Sequence, residues 1–452
     1  MRNPFTQAVA VLLASSGLAW GQTSSTDGAK ATFGTPVGVD APPAATVITP
    51  VNGSTSNGSY TTGSYTSASY ATGSYTNGSY ANGSHANGSC ANDGCAGSRV
   101  WASAEFLIWW LRPGNLPTVI GAIPGNLAGV NPLPDDSIVP VFGGAANDLD
   151  YGEHLGYRFT LGVWLNPEQT VGIDGNYWRL QRQTIGFSGA SDGDPVLGPT
   201  FFDPITGRDT IAVLSEPGRL TSTASARISD RMWGFEANAR FRGTALFCHR
   251  LDWLFGFRHL QFDEDMLLAS TSTFLPAVPV VGGNRLLVVD SFATSNRFYG
   301  AQIGLNGDVC GERWFLNWSA KLAVGGTHQH VAINGASTDT TPAGVVTRFP
   351  GGLLAQPSNI GARSDDEFAA LTEITINVGY RITQRLRTFI GYNFLYLNEV
   401  ARVGDQIDAV DSRSLEYLTT FDPSATPTRP GPVHNSTYLW AQGINFGIEF
   451  KY

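Results

Sequence analysis

The sequence predicts an all-β chain that closes into a transmembrane antiparallel barrel of about ten strands, or twelve if a long loop hides a hairpin. Three observations carry this expectation. The last stretch, Trp440–Tyr452, sets Ile444, Phe446, Ile448, Phe450 and Tyr452 against Gly443, Asn445, Gly447, Glu449 and Lys451. Strand side chains alternate faces, so one face is apolar and the other polar or empty. An outer-membrane barrel closes on such a strand, apolar side to lipid and an aromatic ring at the interface. The second observation is rhythm: similar stretches recur along the chain, joined by connections that are alternately long and short. Barrels with long extracellular loops and short periplasmic turns behave so, whereas a soluble sandwich has no reason to. The third is composition. Only 14% of residues are charged, while Gly is 53 and aromatics 11%, which suits strands and turns better than soluble helices.

The N-terminus reads as an export leader over residues 1–21. Arg2 supplies the basic start, residues 8–18 an apolar core, and Ala19-Trp20-Gly21 a cut before Gln22. The run is too short to span a bilayer, and no Cys follows the cut to take a lipid. Residues 22–98 read as a disordered tether rich in Ser, Thr, Gly and Asn. It carries Tyr60, Tyr65, Tyr70, Tyr75 and Tyr80 at period five, continued by His85, Cys90 and Cys95. Period five keeps Tyr on one face of neither strand nor helix. A flexible periplasmic tether is the plain reading, and Tyr rows stacking on cell-wall glycan the sharper one.

Residues 99–452 carry the barrel pattern. The first strand, 100–111, places Phe106, Ile108 and Trp110 opposite Glu105. The second, 153–165, sets Leu155, Tyr157, Phe159, Leu161 and Val163 against His154, Arg158 and Thr160, and Asn166-Pro167-Glu168 turns it into a third over 170–180. The fourth and fifth, near 227–241 and 251–262, put Trp233, Phe235, Trp253, Phe255 and Phe257 on the apolar face. The sixth and seventh, 293–306 and from Trp314 to Val324, follow, then 368–382, 385–397 and the closing strand. The stretches between 180 and 224, 262 and 290, and 324 and 365 read as long loops. No segment holds the roughly 18 uninterrupted apolar residues of a spanning helix.

Taken in order, several segments resemble the beta-barrel porin-7 family of bacterial outer-membrane proteins. They are Ala104-Glu105-Phe106-Leu107-Ile108-Trp109-Trp110, Arg250–Arg258 with Asp263-Glu264-Asp265, Asn296–Gln302, Ala320–Ala323 with Thr327-His328-Gln329, Asn377–Tyr380, Phe389–Phe394, Gly404–Asp408 and Trp440–Gly447. The resemblance covers residues 99–452 and implies a porin. It transfers no residue role.

The polar faces give the candidate lumen: Glu105, Arg158, Asp174, Glu236, Arg240, Asp252, Arg258, Lys321, Glu373, Arg381, Arg387, Glu449 and Lys451. The signs are mixed, and about eight strands suffice for side chains to fill a barrel. An internal ion-pair network that plugs the lumen is therefore one expectation, and a narrow pore beside the many inward glycines another. Acidic groups gather at the predicted outer rim: Asp148, Asp150 and Glu153; Asp263, Glu264 and Asp265; Asp365, Asp366 and Glu367; Asp405, Asp408 and Asp411. Such carboxylates suit divalent cations, or a solvated surface. Cys248 and Cys310 fall in short turns of an oxidising compartment and form a candidate disulfide, with Cys90–Cys95 a second. His328 and His330 alone are thin evidence for metal. His434 near Asp405 is the only enzyme-like juxtaposition, and no nucleophile motif accompanies it. No cofactor is expected, and the net charge of −9 argues against nucleic acid. The expected partners are outer-membrane lipid and the insertion machinery that engages the C-terminal strand. The functional expectation is passive diffusion of small solutes, with a closed barrel whose loops act in adhesion, ligand binding or envelope scaffolding as the alternative.

Overall fold

The computed structural model describes residues 98–452, apart from 131–132, 145–148, 244–248, 280, 416–421, 423 and 427. The expected leader, the Tyr repeat, the candidate Cys90–Cys95 pair, Asp148 and Cys248 lie outside the described residues.

Ten strands build the wall: β1 Val100–Leu111, β2 Glu153–Trp164, β3 Val171–Leu180, β4 Leu220–Arg242, β5 His249–Phe274, β6 Arg285–Cys310, β7 Trp314–Thr340, β8 Gly361–Arg381, β9 Leu386–Ala401 and β10 Ser436–Lys451. Each pairs antiparallel with its sequence neighbour, and β10 returns to β1 with Phe446 opposite Phe106 and Ile444 opposite Ile108. The ring is closed, which leaves no sheet edge to satisfy inside a membrane. Val100 and Tyr452 exchange both backbone bonds, N–H to O at 3.0 and 2.8 Å. That junction lies at the same end as the turns β2–β3, β4–β5, β6–β7 and β8–β9.

The outer surface of the lower wall is apolar and exposed. Leu161, Ile173, Phe255, Ile303, Val378, Ile390 and Phe446 form a band. Aromatic girdles flank it: Tyr157, Tyr177, Trp233 and Tyr299 toward the long connections, and Trp253, Trp314, Tyr380 and Tyr452 toward the turns. Lipid outside selects this band, and interfacial rings mark its borders.

Four strands run well past this band, which corrects the expected loop boundaries. β4 begins at Leu220, β5 ends at Phe274, β6 begins at Arg285 and β7 ends at Thr340. These extensions are rich in Ser, Thr and Ala, so their alternation is shallow, yet the ladder is continuous from His249 opposite Val309 to Thr273 opposite Arg285. Two strands lie outside the ring. Thr184–Ser191 pairs with β4 above the point where β3 ends, and Val346–Pro350 folds back on β7. Ile120–Ile123, Val139–Phe142, Val196–Asp203 and Arg208–Ile211 make a separate four-stranded sheet from the first two long connections. Leu116, Val119, Ile120, Leu197 and Phe201 of this cap pack with Ile228, Met266, Phe292, Val331 and Ile333 of the wall in one buried cluster.

Candidate functional site

The interior is layered, and each layer follows from which side chains the alternation turns inward. At the level of the lipid band the inward groups are charged. Glu105, Arg158, Glu373, Arg258, Glu236 and Lys321 form one chain of alternating sign. Arg158 lies 3.7 Å from Glu105 and 3.1 Å from Glu373, Arg258 contacts Glu373 and lies 3.2 Å from Glu236, and Glu236 contacts Lys321. Three carboxylates meet three cations, so the chain is neutral. Asn393, Gln302, Asn238 and Asn445 fill remaining hydrogen-bonding positions around it.

Below this, toward the turns, Arg240 bridges Asp174 at 2.8 Å and Asp252 at 3.0 Å, and Arg250 adds a second bond to Asp252. Arg387 pairs with Glu449 at 2.6 Å, and Lys451 approaches the same carboxylate at 3.4 Å. Arg381 stands apart at the rim, donating to the Glu312 carbonyl. Twelve of the thirteen expected lumen residues thus meet in three networks. Arg250 and Asp308, the latter held by Asn317 at 2.9 Å, belong here too and were missed because both sit beside turns, where alternation fades. Between these networks lies a polar cavity of about 170 Å³, lined by Asp174, Arg240, Asn317, Lys321, Arg387 and Glu449 among others. At ~30 Å³ per water it holds a handful of solvent molecules.

At two inward glycines a ring from the neighbouring strand takes the space. The Trp101 ring lies over Gly162 and the Phe389 ring over Gly447, so close that a Cβ at either glycine would collide with it. Absence of a side chain on one strand is used by a ring from the next.

Above the charged chain comes an apolar layer: Leu107, Trp109, Trp178, Leu260, Phe262, Phe298, Leu371, Leu395 and Leu397, none more than 2% exposed. Trp109 and Trp178 pack with ring centroids 5.2 Å apart. Higher still, Arg402 and Glu264 form a fully buried pair at 2.6 Å, joined by the Tyr151 hydroxyl at 3.1 Å and the Arg112 carbonyl at 2.8 Å. His154 and Asp230 form another buried contact at 2.7 Å. Both carboxylates sit on inward-facing positions of long strands. For Glu264 the signal was present, since Phe262 and Met266 share its face.

The acidic rim groups do not converge. Asp263 accepts from Gln261 and Ser295, Asp265 pairs with Arg182, Asp366 with His328, Asp408 with Arg429 and Asp411 with Arg413. Asp150 accepts from the Gly152 amide, and Asp405 faces Asn115. Glu153, Asp365 and Glu367 are exposed or partly so. Among the described residues no three His, Cys, Asp or Glu side chains gather as a cation site. His330 bonds Ser364, and His434 bonds Gln329 rather than Asp405. Cys310 is disulfide-bonded.

The family described as "Putative beta barrel porin-7 (BBP7)" matches residues 101–452. The chain belongs to this family. Among curated proteins nothing matches. Solved structures similar to it include the outer membrane protease OmpT of Escherichia coli, at 9% identity over 78% of this chain and 97% of that one, with a TM-score of 0.37. A FadL homologue of Pseudomonas aeruginosa follows at 10%, 78%, 90% and 0.21, and the toluene transporter TodX of P. putida at 10%, 79%, 91% and 0.19. These likenesses carry nothing about activity. Family membership and the closed wall make the chain a β-barrel outer-membrane protein.

Proposed function

We propose that this member of the porin-7 family is a closed barrel that anchors an extracellular cap, and that the cap makes the functional contact, in adhesion, ligand capture or envelope scaffolding. The carrying observation is the apolar layer across the lumen, from Leu107 and Trp109 to Leu395 and Leu397. An ion entering a dry apolar layer loses its hydration without replacement, at a cost of many kcal/mol. The neutral charged chain beneath it and the buried Arg402–Glu264 pair above it support the same reading. On this reading the chain is not an enzyme, and its partners are bilayer lipid, the insertion machinery reading Ile444–Tyr452, and whatever the cap contacts.

Passive diffusion of small solutes is the second reading. The polar cavity on the turn side favours it, since that cavity already reaches into the barrel as far as the charged chain.

Planar-bilayer recording in KCl separates the two. Protein shown to be folded by heat-modifiable gel mobility is expected to give no discrete conductance, and Trp109→Ala with Trp178→Ala to introduce leak by thinning the layer. Reproducible unitary steps from the unaltered protein would overturn the closed-barrel reading.

A further inference from the structure

The chain as a whole is acidic, yet one sector of its outer wall carries a surplus of arginine. We infer that this sector, on β3–β6 just outside the upper aromatic girdle, binds the phosphate of an anionic lipid headgroup in the outer leaflet.

Register fixes the arrangement. Tyr157, Arg179, Trp233, Gln261 and Arg297 stand in one row across β2 to β6. Two residues further from the membrane, Arg231 stands opposite Asp263, and Arg227 follows on the same face of β4. Their alternating neighbours Trp178, Met232, Ile228 and Phe298 are buried, so these arginines project outward. With strands about 4.8 Å apart and a rise of about 3.4 Å per residue, the Arg179 and Arg231 Cα atoms lie ~8 Å apart, and those of Arg231 and Arg297 ~12 Å. Flexible guanidiniums on that spacing reach a common headgroup.

Arg182 is engaged with Asp265 at 2.9 Å, and Asp263 is taken by Gln261 and Ser295. Arg179, Arg227, Arg231 and Arg297 have no side-chain partner among the described residues. Five arginines therefore face two aspartates that already have bonds. Further along the same row the sign reverses: Arg297 is followed by His328 and then Asp366. The surplus is local.

The ring surface directly beneath supplies a seat for acyl chains. Tyr177 packs on Trp233 at 6.0 Å between centroids, Phe235 on His259 at 5.3 Å and His259 on Tyr299 at 4.5 Å. Guanidinium is the side chain whose planar fork matches phosphate oxygens in pairs. Basic groups at a membrane surface draw anionic lipid at about 1 kcal/mol each. An apolar seat with unpaired guanidiniums at its upper edge is complementary to a phospholipid, tail below and phosphate above.

The test is native mass spectrometry of the full protein in micelles, offered phosphatidic acid, phosphatidylcholine or inorganic phosphate. Phosphatidic acid is expected to be retained over phosphatidylcholine. Arg179→Gln, Arg231→Gln and Arg297→Gln together should reduce that preference on the order of a hundredfold, while Arg219→Gln in the cap leaves it unchanged. Should the triple variant fail to fold by heat-modifiable mobility, Arg297→Gln alone is read, with a severalfold loss expected. Equal retention of the two lipids, or an unaltered preference in the folded variants, overturns the proposal. Inorganic phosphate abolishing the preference at equal concentration overturns it as well, because the sector would then be a free-anion site.

Discussion

On β4–β7 the lower and upper halves of the barrel wall are made of the same strands in one unbroken register, yet they are built inside out with respect to each other. Along β4, even-numbered residues face inward throughout. In the lower half they are Glu236, Asn238 and Arg240, with Phe235, Ala237, Ala239 and Phe241 outside. In the upper half they are Leu220, Ser222, Ala224, Ala226, Ile228, Asp230 and Met232, with Thr223, Arg227 and Arg231 outside. The geometry is constant and the medium is not. Against lipid the wall must turn its apolar face out, so charged side chains collect inside and neutralise one another. Against water the same barrel interior becomes mainly apolar, with the Arg402–Glu264 and His154–Asp230 pairs set into it.

Unbalancing the charge of the lower half has the largest expected effect. Glu373 is the central carboxylate of the charged chain, between Arg158 and Arg258, and its side chain is 3% exposed. Glu373→Gln leaves a buried cation uncompensated and is expected to cost about 3–5 kcal/mol. In the upper half, Ile333→Val removes one methylene from a fully buried position and should cost about 0.5–1.5 kcal/mol. Urea titration of the refolded barrels, followed by gel mobility, ranks them. Equal costs would mean that the lower interior is wet enough to solvate a lone charge.

The contrast also explains what could be read in the sequence. The ten membrane crossings were legible because lipid demands a large apolar group at every second position, as in Ile444, Phe446, Ile448 and Phe450. The upper extensions were not, because water outside tolerates Ser, Thr and Ala on both faces: Leu220–Ala224 resembles a loop until its ladder with β5 is seen. The lumen residues followed from the polar face, but not their partners, since Arg158 and Glu373 are 215 residues apart. The inward glycines were ambiguous for a similar reason. Whether a missing side chain leaves space depends on a ring from another strand, as with Gly447 and Phe389. Arg402 was hidden entirely: it lies just past β9 in a connection, and its role depends on Glu264, 138 residues away.

The border between the halves can be located by placing one charge at two heights on the outward face of β6. Ala301 is exposed within the apolar band, between Tyr299 and Ile303, while Ser291 lies ten positions nearer the cap. Ala301→Arg is expected to cost about 2–4 kcal/mol and Ser291→Arg about 0–1 kcal/mol. The same urea titration in lipid vesicles reads both. Similar costs at the two positions would place the bilayer elsewhere on the wall.

The smallest effect tests whether the upper interior is as dry as a core should be. Asp290 faces inward from the upper part of β6 and accepts from the amides of Leu353 at 3.1 Å and Ala355 at 2.8 Å. No cation pairs with it among the described residues, and burial outweighs the backbone bonds, pushing its pKa from 3.8 up to about 6. A carboxyl with a raised folded-state pKa binds its proton more readily folded than unfolded between those two values. Its contribution to stability therefore grows as the pH falls through 6 and levels off below about 4. From pH 7 to pH 5 the wild-type protein should gain about 1 kcal/mol relative to Asp290→Asn, which has no titration at this position. Unfolding free energies of the two proteins at both pH values give the difference directly. A flat difference would mean that water reaches Asp290, so that the upper half resembles its solvated outer face rather than a core, and the inversion between the halves would be confined to the layer around Trp109.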